Sequence, residues 1–338
     1  MPEFLALSPA NRREALAVAA DASGRPIHLL EKDVWVVWAL KTLFESPHGP
    51  HLVFKGGTSL SKGYGIIRRF SEDVDLTYDI RTIANDLLGK TGVTLPRSKS
   101  QAKKWTDAIR TRLPKFLNNE IAPLLTESLD SQGLPASVET QGDNIYLKYE
   151  PLVSGYGYIA PAVTLEFGAR ATGEPNEKRD VICDAANYLP TVAFPTARPS
   201  LLHPERTFWE KATAIHIYCH RGAFRGGDRF ARHWHDLTCL DAAGYATSAI
   251  ANSALAKDVA NHKTVFFAEK NEAAKVIDYH QAVSGSLLLI PSDAARAALA
   301  EDYTGMVNDG LLIDEAVPFE TLLEACESIQ NRANAAAK

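Results

Sequence analysis

Residues 51–78 place two strands, a diglycine bend and a helix in close succession, and few folds accommodate that order. His51-Leu52-Val53-Phe54 is a short apolar run of β-formers, which predicts a strand. Gly56-Gly57 breaks it, and Thr58 to about Ile67 resumes as a helix. From Phe70 to Tyr78 charges alternate with Val74, Leu76 and Tyr78, the period of a half-buried strand. Asp73 and Asp75 lie two apart on it, so both side chains leave one face. Two carboxylates so close are costly unless a cation neutralises them, and Mg²⁺ is a hard cation that takes oxygen ligands and bridges phosphates. The glycines let the backbone turn tightly and approach a ligand. The helix that follows offers unpaired N–H groups to phosphate oxygens, and Thr58 and Ser59 add hydroxyl donors. This combination points to a metal-dependent phosphate-transfer site.

The rest of the chain supplies a scaffold. Residues 8–45 read as two helices, with Ser8 as N-cap, Pro9 in the first turn and Gly24-Arg25-Pro26 between them. Trp35, Trp38 and Leu40 are core candidates at helical spacing. Residues 81–130 look helical, and Asn144 to Leu152 and Ala162 to Phe167 look like strands. In the second of these, Val163, Leu165 and Phe167 point one way and Thr164 and Glu166 the other. Glu166 is therefore the natural third carboxylate if its strand lies beside that of Asp73. From Pro204 onward the pattern is mainly helical, which puts a boundary near residue 200. The expectation is an α+β protein: a mixed sheet with flanking helices over 1–200, and a mainly helical domain over 201–338.

Composition limits the partners. Lys plus Arg is 36 and Asp plus Glu is 41, a net charge of −5, so a polyanion must be met by a local patch. Between Pro96 and Lys115 seven bases, Arg97, Lys99, Lys103, Lys104, Arg110, Arg112 and Lys115, stand against one acid, Asp107. Trp105 interleaves, a candidate for stacking on a base. Arg221, Arg225, Arg229 and Arg232 form a second basic cluster around Gly226-Gly227. Four widely spaced cysteines fit reduced thiols. His216 and His220 share a helix face, but no paired cysteines accompany them, and they read as packing or cleft residues rather than zinc ligands. No signal peptide is evident at the start, and the most apolar run, Val34 to Leu40, is too short to span a bilayer. A cytoplasmic protein with no membrane partner is expected.

At this point the chain resembles the nucleotidyltransferase superfamily of DNA polymerase beta, marked by a glycine turn, a paired-acid strand and a third acid on a later strand. More closely, it is similar to the AbiEii family of toxin nucleotidyltransferases, which includes the MenT toxins. Four motifs match: Gly56-Gly57-Thr58-Ser59-Leu60 through Arg69, Ser71, Asp73 and Asp75; Glu166 to Arg170; Lys211-Ala212-Thr213-Ala214; and Arg232-His233-Trp234-His235-Asp236-Leu237. Family members often carry Lys or Arg before this last acid, where Trp234-His235 stands here. Glu31-Lys32-Asp33-Val34-Trp35, His262-Lys263, Phe266-Phe267 and Asp302-Tyr303-Thr304-Gly305-Met306 also resemble the family.

The resemblance implies a polymerase-beta-like core and a mechanism. Asp73 and Asp75 would hold Mg²⁺, with Mn²⁺ as an alternative, against a nucleoside triphosphate. Gly56, Gly57, Thr58, Ser59, Arg69 and Ser71 would bind the nucleotide. Lys211 would neutralise charge growing on the triphosphate. Asp236 would position or deprotonate the attacking hydroxyl, a job Glu166 would share unless it serves a second metal. The implied acceptor is RNA, especially the tRNA 3′ end, with Arg97, Lys99, Lys103, Lys104, Arg110 and Arg112 as its contacts. The implied role is the toxin of a toxin–antitoxin or phage-defence pair, with a cognate antitoxin encoded nearby. Two other readings keep the fold: transfer to a small molecule or a protein hydroxyl, and a catalytically silent regulatory module.

Overall fold

The computed structural model describes residues 1–69, 73–88, 94–153, 160–221, 229–308, 312 and 316–337. Ser71, Arg225, Gly226 and Gly227, all singled out from the sequence, lie outside the described residues. The chain divides into two compact units. The first takes in most of the chain to Leu201; the second runs from Leu202 to Lys338 and also includes Tyr64–Ser71 and Leu95–Lys104.

The first unit is built on a seven-stranded mixed sheet. Its strands are β1 Leu52–Lys55, β2 Asp73–Tyr78, β3 Ala136–Gln141, β4 Asn144–Tyr149, β5 Ala162–Gly168, β6 Asn176–Lys178 and β9 Ser200–Leu202, in the order β3-β4-β5-β2-β1-β9-β6. β7 Val181–Ile182 and β8 Thr196–Ala197 form a separate pair. β2 runs antiparallel to β1 and parallel to β5. Helices α1 Pro9–Ser23, α2 Ile27–Glu45, α3 Gly56–Lys62, α4 Ile80–Ile83, α5 Asn85–Leu88, α6 Lys99–Phe116 and α7 Ala122–Ser131 accompany the sheet.

One face of the sheet is apolar and buried: Phe54, Val74, Leu76, Val163, Leu165, Ile145 and Leu147. The other carries the polar residues at alternate positions, as the period-two pattern requires. α2 is buried almost all round, and its Trp35 stacks on Tyr149 of β4, ring centroids 5.3 Å apart. Trp38 donates its indole N–H to the Gln132 side chain at 3.1 Å, so its one polar atom is satisfied. Ser8 accepts from the Asn11 N–H and caps α1, as its sequence predicts.

Three local expectations change. The helix after β1 begins at Gly56 itself and ends at Lys62, short of Ile67. Gly56 makes the whole turn in one residue at φ +77°, and Gly65 at φ +65° leaves the helical region soon after Gly63. The 81–130 stretch is not continuous: α4 and α5 are single turns, and α6 starts only at Lys99, after Pro96. Pro114 sits inside α6, and a π-helical turn over Leu117–Ile121 follows it. Finally, β3, β6, β7, β8 and β9 are strands the apolar pattern did not announce.

The second unit is helical: α8 Pro204–Arg221, α9 Ala231–Ala242, α10 Tyr245–Ala251, α11 Ser253–Phe266, α12 Tyr279–Val283, α13 Asp293–Asn308 and α14 Phe319–Ala336. Trp209 and Trp234 anchor it, donating indole N–H groups to the carbonyls of Ala249 at 2.9 Å and Leu289 at 2.8 Å. Among the described residues no helix is long and apolar enough to cross a membrane.

Candidate active site

β2 brings Asp73 and Asp75 to the polar face of the sheet, with Val74 and Leu76 in the core beneath. Register fixes their neighbours. Lys55 of β1, Asp75, Glu166 of β5 and Asn144 of β4 stand side by side across four strands. Asp73, Thr164 and Tyr146 form the next row. The sequence condition for Glu166 is therefore met: its strand is the neighbour of β2. Glu166 is nonetheless exposed, and among the described residues no three His, Cys, Asp or Glu side chains gather closely enough to hold a metal ion. What the sheet offers a cation is the pair on β2.

The bend is fitted to that pair. A Cβ on Gly56 would lie 2.0 Å from Asp75 Oδ2, so the carboxylate occupies the space that a side chain would take. The two hydroxyls after the bend turn inward. Thr58 Oγ1 donates to the Asp73 carbonyl, and Ser59 Oγ donates to the Gly56 carbonyl at 3.0 Å. Both residues are buried. At the far end of α3, Lys62 Nζ lies 2.6 Å from Asp33 on α2 and 2.6 Å from Asp184, and Asp33 also accepts the Asp184 N–H. This partly buried ion network ties α3 to α2, and it explains the acid in the early Glu31-Lys32-Asp33 stretch.

Its neighbour Glu31 is buried and accepts the Leu152 N–H at 3.0 Å. Burial pushes its carboxyl up to about 7, against the opposing pull of that N–H and of Arg12 and Arg13.

The second unit carries a cationic cluster. Asp236 is fully buried on α9. Arg69 grips it with two nitrogens, at 2.7 and 2.8 Å, and Lys211 of α8 reaches it at 2.8 Å. His235 Nδ1 lies 3.4 Å away. Burial alone would raise the Asp236 carboxyl, but the charges of Arg69 and Lys211 and the hydrogen bonds of Arg69 and His235 hold it well below the usual range. Burial would lower His235, yet its bonds to Asp236 and Cys239 and their charges push it up to about 9. Arg69, Lys211 and His235 thus all face the Asp236 carboxylate. His233, by contrast, is held neutral by burial and by repulsion from Lys211, Arg232 and Arg69.

The basic helix divides. Lys99, Lys103, Lys104 and Arg110 of α6, and Arg97 ahead of it, are exposed, as is Lys115. Arg112 pairs with Asp86 at 2.5 Å. Trp105 is 2% exposed, on the buried stripe with Ala102, Ile109 and Leu113, so it is a core residue and not a stacking platform. In the second basic cluster Arg221 pairs with Glu269.

A mixed sheet that sets two carboxylates on one strand face beside a glycine bend suits metal-assisted phosphoryl transfer. The family model described as "Nucleotidyl transferase AbiEii toxin, Type IV TA system" matches residues 38–325. The chain belongs to this family of nucleotidyltransferase toxins from type IV toxin–antitoxin systems. Among solved structures it is similar to MenT4, the nucleotidyltransferase toxin Rv2826c from Mycobacterium tuberculosis H37Rv. That match has 16% identity and a TM-score of 0.39, and covers 98% of this chain and 100% of that one. A search of curated proteins finds no match.

Proposed function

We propose that this protein transfers a nucleotide from a nucleoside triphosphate to an RNA hydroxyl, with the tRNA 3′ end as the favoured acceptor. The observation that carries this reading is the fit of Gly56 to the Asp75 carboxylate, with Asp73 on the same strand face. Two oxygen donors beside a tight backbone turn suit a hard divalent cation, Mg²⁺ or Mn²⁺. When bound, such an ion polarises phosphoryl oxygens and offsets their charge.

The chain's own groups divide the remaining work. Asp73 and Asp75 would hold the ion, and Gly56, lacking a side chain, leaves the Asp75 carboxylate its place beside the bend. By family resemblance, Lys211 is the residue that would neutralise charge building on the triphosphate as pyrophosphate leaves. Asp236 orients these cations; its depressed pKa makes it a poor proton acceptor, so its contribution runs through Lys211 and Arg69. Glu166, exposed one strand away from Asp75, is the better-placed acid to take the proton of an attacking hydroxyl. Ser71 belongs to the same motif by family resemblance. Arg97, Lys99, Lys103, Lys104 and Arg110 offer exposed charge to an RNA backbone, and Arg112, already paired, contributes less. Such a toxin acts in the cytoplasm, restrained by an antitoxin encoded nearby, and phage defence is one setting for it.

The test is transfer of label. Purified protein is incubated with each α-labelled triphosphate, Mg²⁺ and total tRNA, beside Asp73→Ala and a chelator control. Label on RNA in the wild type alone is expected, as is slowed growth on expressing wild type but not Asp73→Ala. Label on protein or on a small molecule would move the acceptor, and no label with any triphosphate would leave a silent module.

A further inference from the structure

The sequence presents Thr58 and Ser59 as hydroxyl donors for phosphate, but their protons are spent inside the protein. Thr58, 4% exposed, donates to the Asp73 carbonyl at 2.5 Å; Ser59, 0% exposed, donates to Gly56. A hydroxyl has one proton to give. The place of the Thr58 bond is what matters. β1 ends at Lys55, opposite Asp75, so Asp73 extends beyond the last β1 residue. On its other side Asp73 is held by its register with Thr164 of β5. The Thr58 hydroxyl stands where a continued β1 would stand, and it fixes the peptide plane from which the Asp73 side chain departs.

We propose that Thr58 is a positioning residue, whose hydroxyl sets the spacing of the Asp73 and Asp75 carboxylates and does not contact the nucleotide. This rests on the reading that those two acids hold a divalent ion, and it names the group that sets their geometry. Partners that orient metal ligands are worth about 10- to 100-fold in metal affinity or activity when removed. Ser59 does the corresponding work for Gly56, keeping its carbonyl turned back into α3 while the Asp75 carboxylate fills the space above its Cα.

The experiment uses the full chain and three variants. Thr58→Val keeps the branched volume and removes the hydroxyl, Thr58→Ser keeps the hydroxyl, and Asp73→Ala removes the ligand. Mn²⁺ binding is read by electron paramagnetic resonance with a non-hydrolysable triphosphate present. Nucleotide transfer is then measured against Mg²⁺ and, separately, against triphosphate concentration. Thr58→Val should weaken Mn²⁺ binding and raise the half-saturating Mg²⁺ by about 10- to 100-fold, with the triphosphate KM at saturating metal unchanged. Thr58→Ser should restore both. If Thr58→Val melts below the assay temperature, Thr58→Ala reads the same quantities with less bulk. Intact Mn²⁺ binding with a raised triphosphate KM would make Thr58 a nucleotide contact and overturn the proposal, as would a variant identical to wild type. Failure of the underlying reading looks different: wild type and Asp73→Ala would bind Mn²⁺ equally, and both ideas would fall together.

Discussion

A methyl group at position 56 has no room, because its carbon would sit 2.0 Å from the Asp75 carboxylate on a backbone already at φ +77°. Gly56→Ala should therefore lose about 1–2 kcal/mol of stability to the left-handed backbone alone. Its transfer rate should fall further than that, by about 100-fold, because the carboxylate must move. A thermal melt beside a rate measurement separates the two; a variant with wild-type rate would show that the placing of Asp75 does not matter. His235 gives a second residue-level expectation. Its folded value, about 9, lies above its ordinary 6.5, so its stabilising effect is full below 6.5 and is lost as pH rises through 9. Denaturant unfolding across that window should show declining stability, and His235→Gln should flatten the decline. An equal slope in both proteins would remove His235 as the cause. Residue identity alone made Asp73, Asp75 and Gly56 legible, since spacing encodes which face a side chain leaves. It could not give Arg69 and Asp236 as partners, because 167 positions separate them and only the fold brings them together.

At the scale of elements, legibility followed burial. β2, β4 and β5 announced themselves because one side of each is packed and the alternation survives in the sequence, and β1 because Leu52, Val53 and Phe54 are all buried and form a continuous apolar run. β3 has only Val138 among large apolar side chains and lies at the edge of the sheet, so its alternation is between half-buried and exposed residues. β9 is three residues long behind Pro199. Trp105 shows the opposite error: Ala102, Trp105, Ile109 and Leu113 already spell a buried helical stripe, and the bases between them drew attention away from it. The exposed face of α6 makes its own prediction. Replacing Lys103 and Lys104 together with alanine should weaken RNA binding without changing the melting temperature. It should also reduce the dependence of log affinity on log salt by about 1.4, two contacts at roughly 0.7 each for single strands. Unchanged affinity and slope would take this face out of RNA recognition.

Across the whole molecule, a net charge of −5 conceals a local gathering of cations around one buried carboxylate. The first unit places its acids on an open sheet face. The second buries a carboxylate under Arg69, Lys211 and His235. Ion pairs this well buried are costly to assemble and are weak evidence for stability as such. On the proposed function they would serve as oriented cations that need no rearrangement when a phosphate's charge grows.

The most direct test of the central claim is anomalous diffraction from crystals of the full chain grown with Mn²⁺ and a non-hydrolysable nucleoside triphosphate. The account predicts a manganese peak within coordination distance of both the Asp73 and Asp75 carboxylates, beside Gly56, with triphosphate oxygens completing the shell. A peak elsewhere, or an ordered triphosphate with no metal at those two acids, would contradict it.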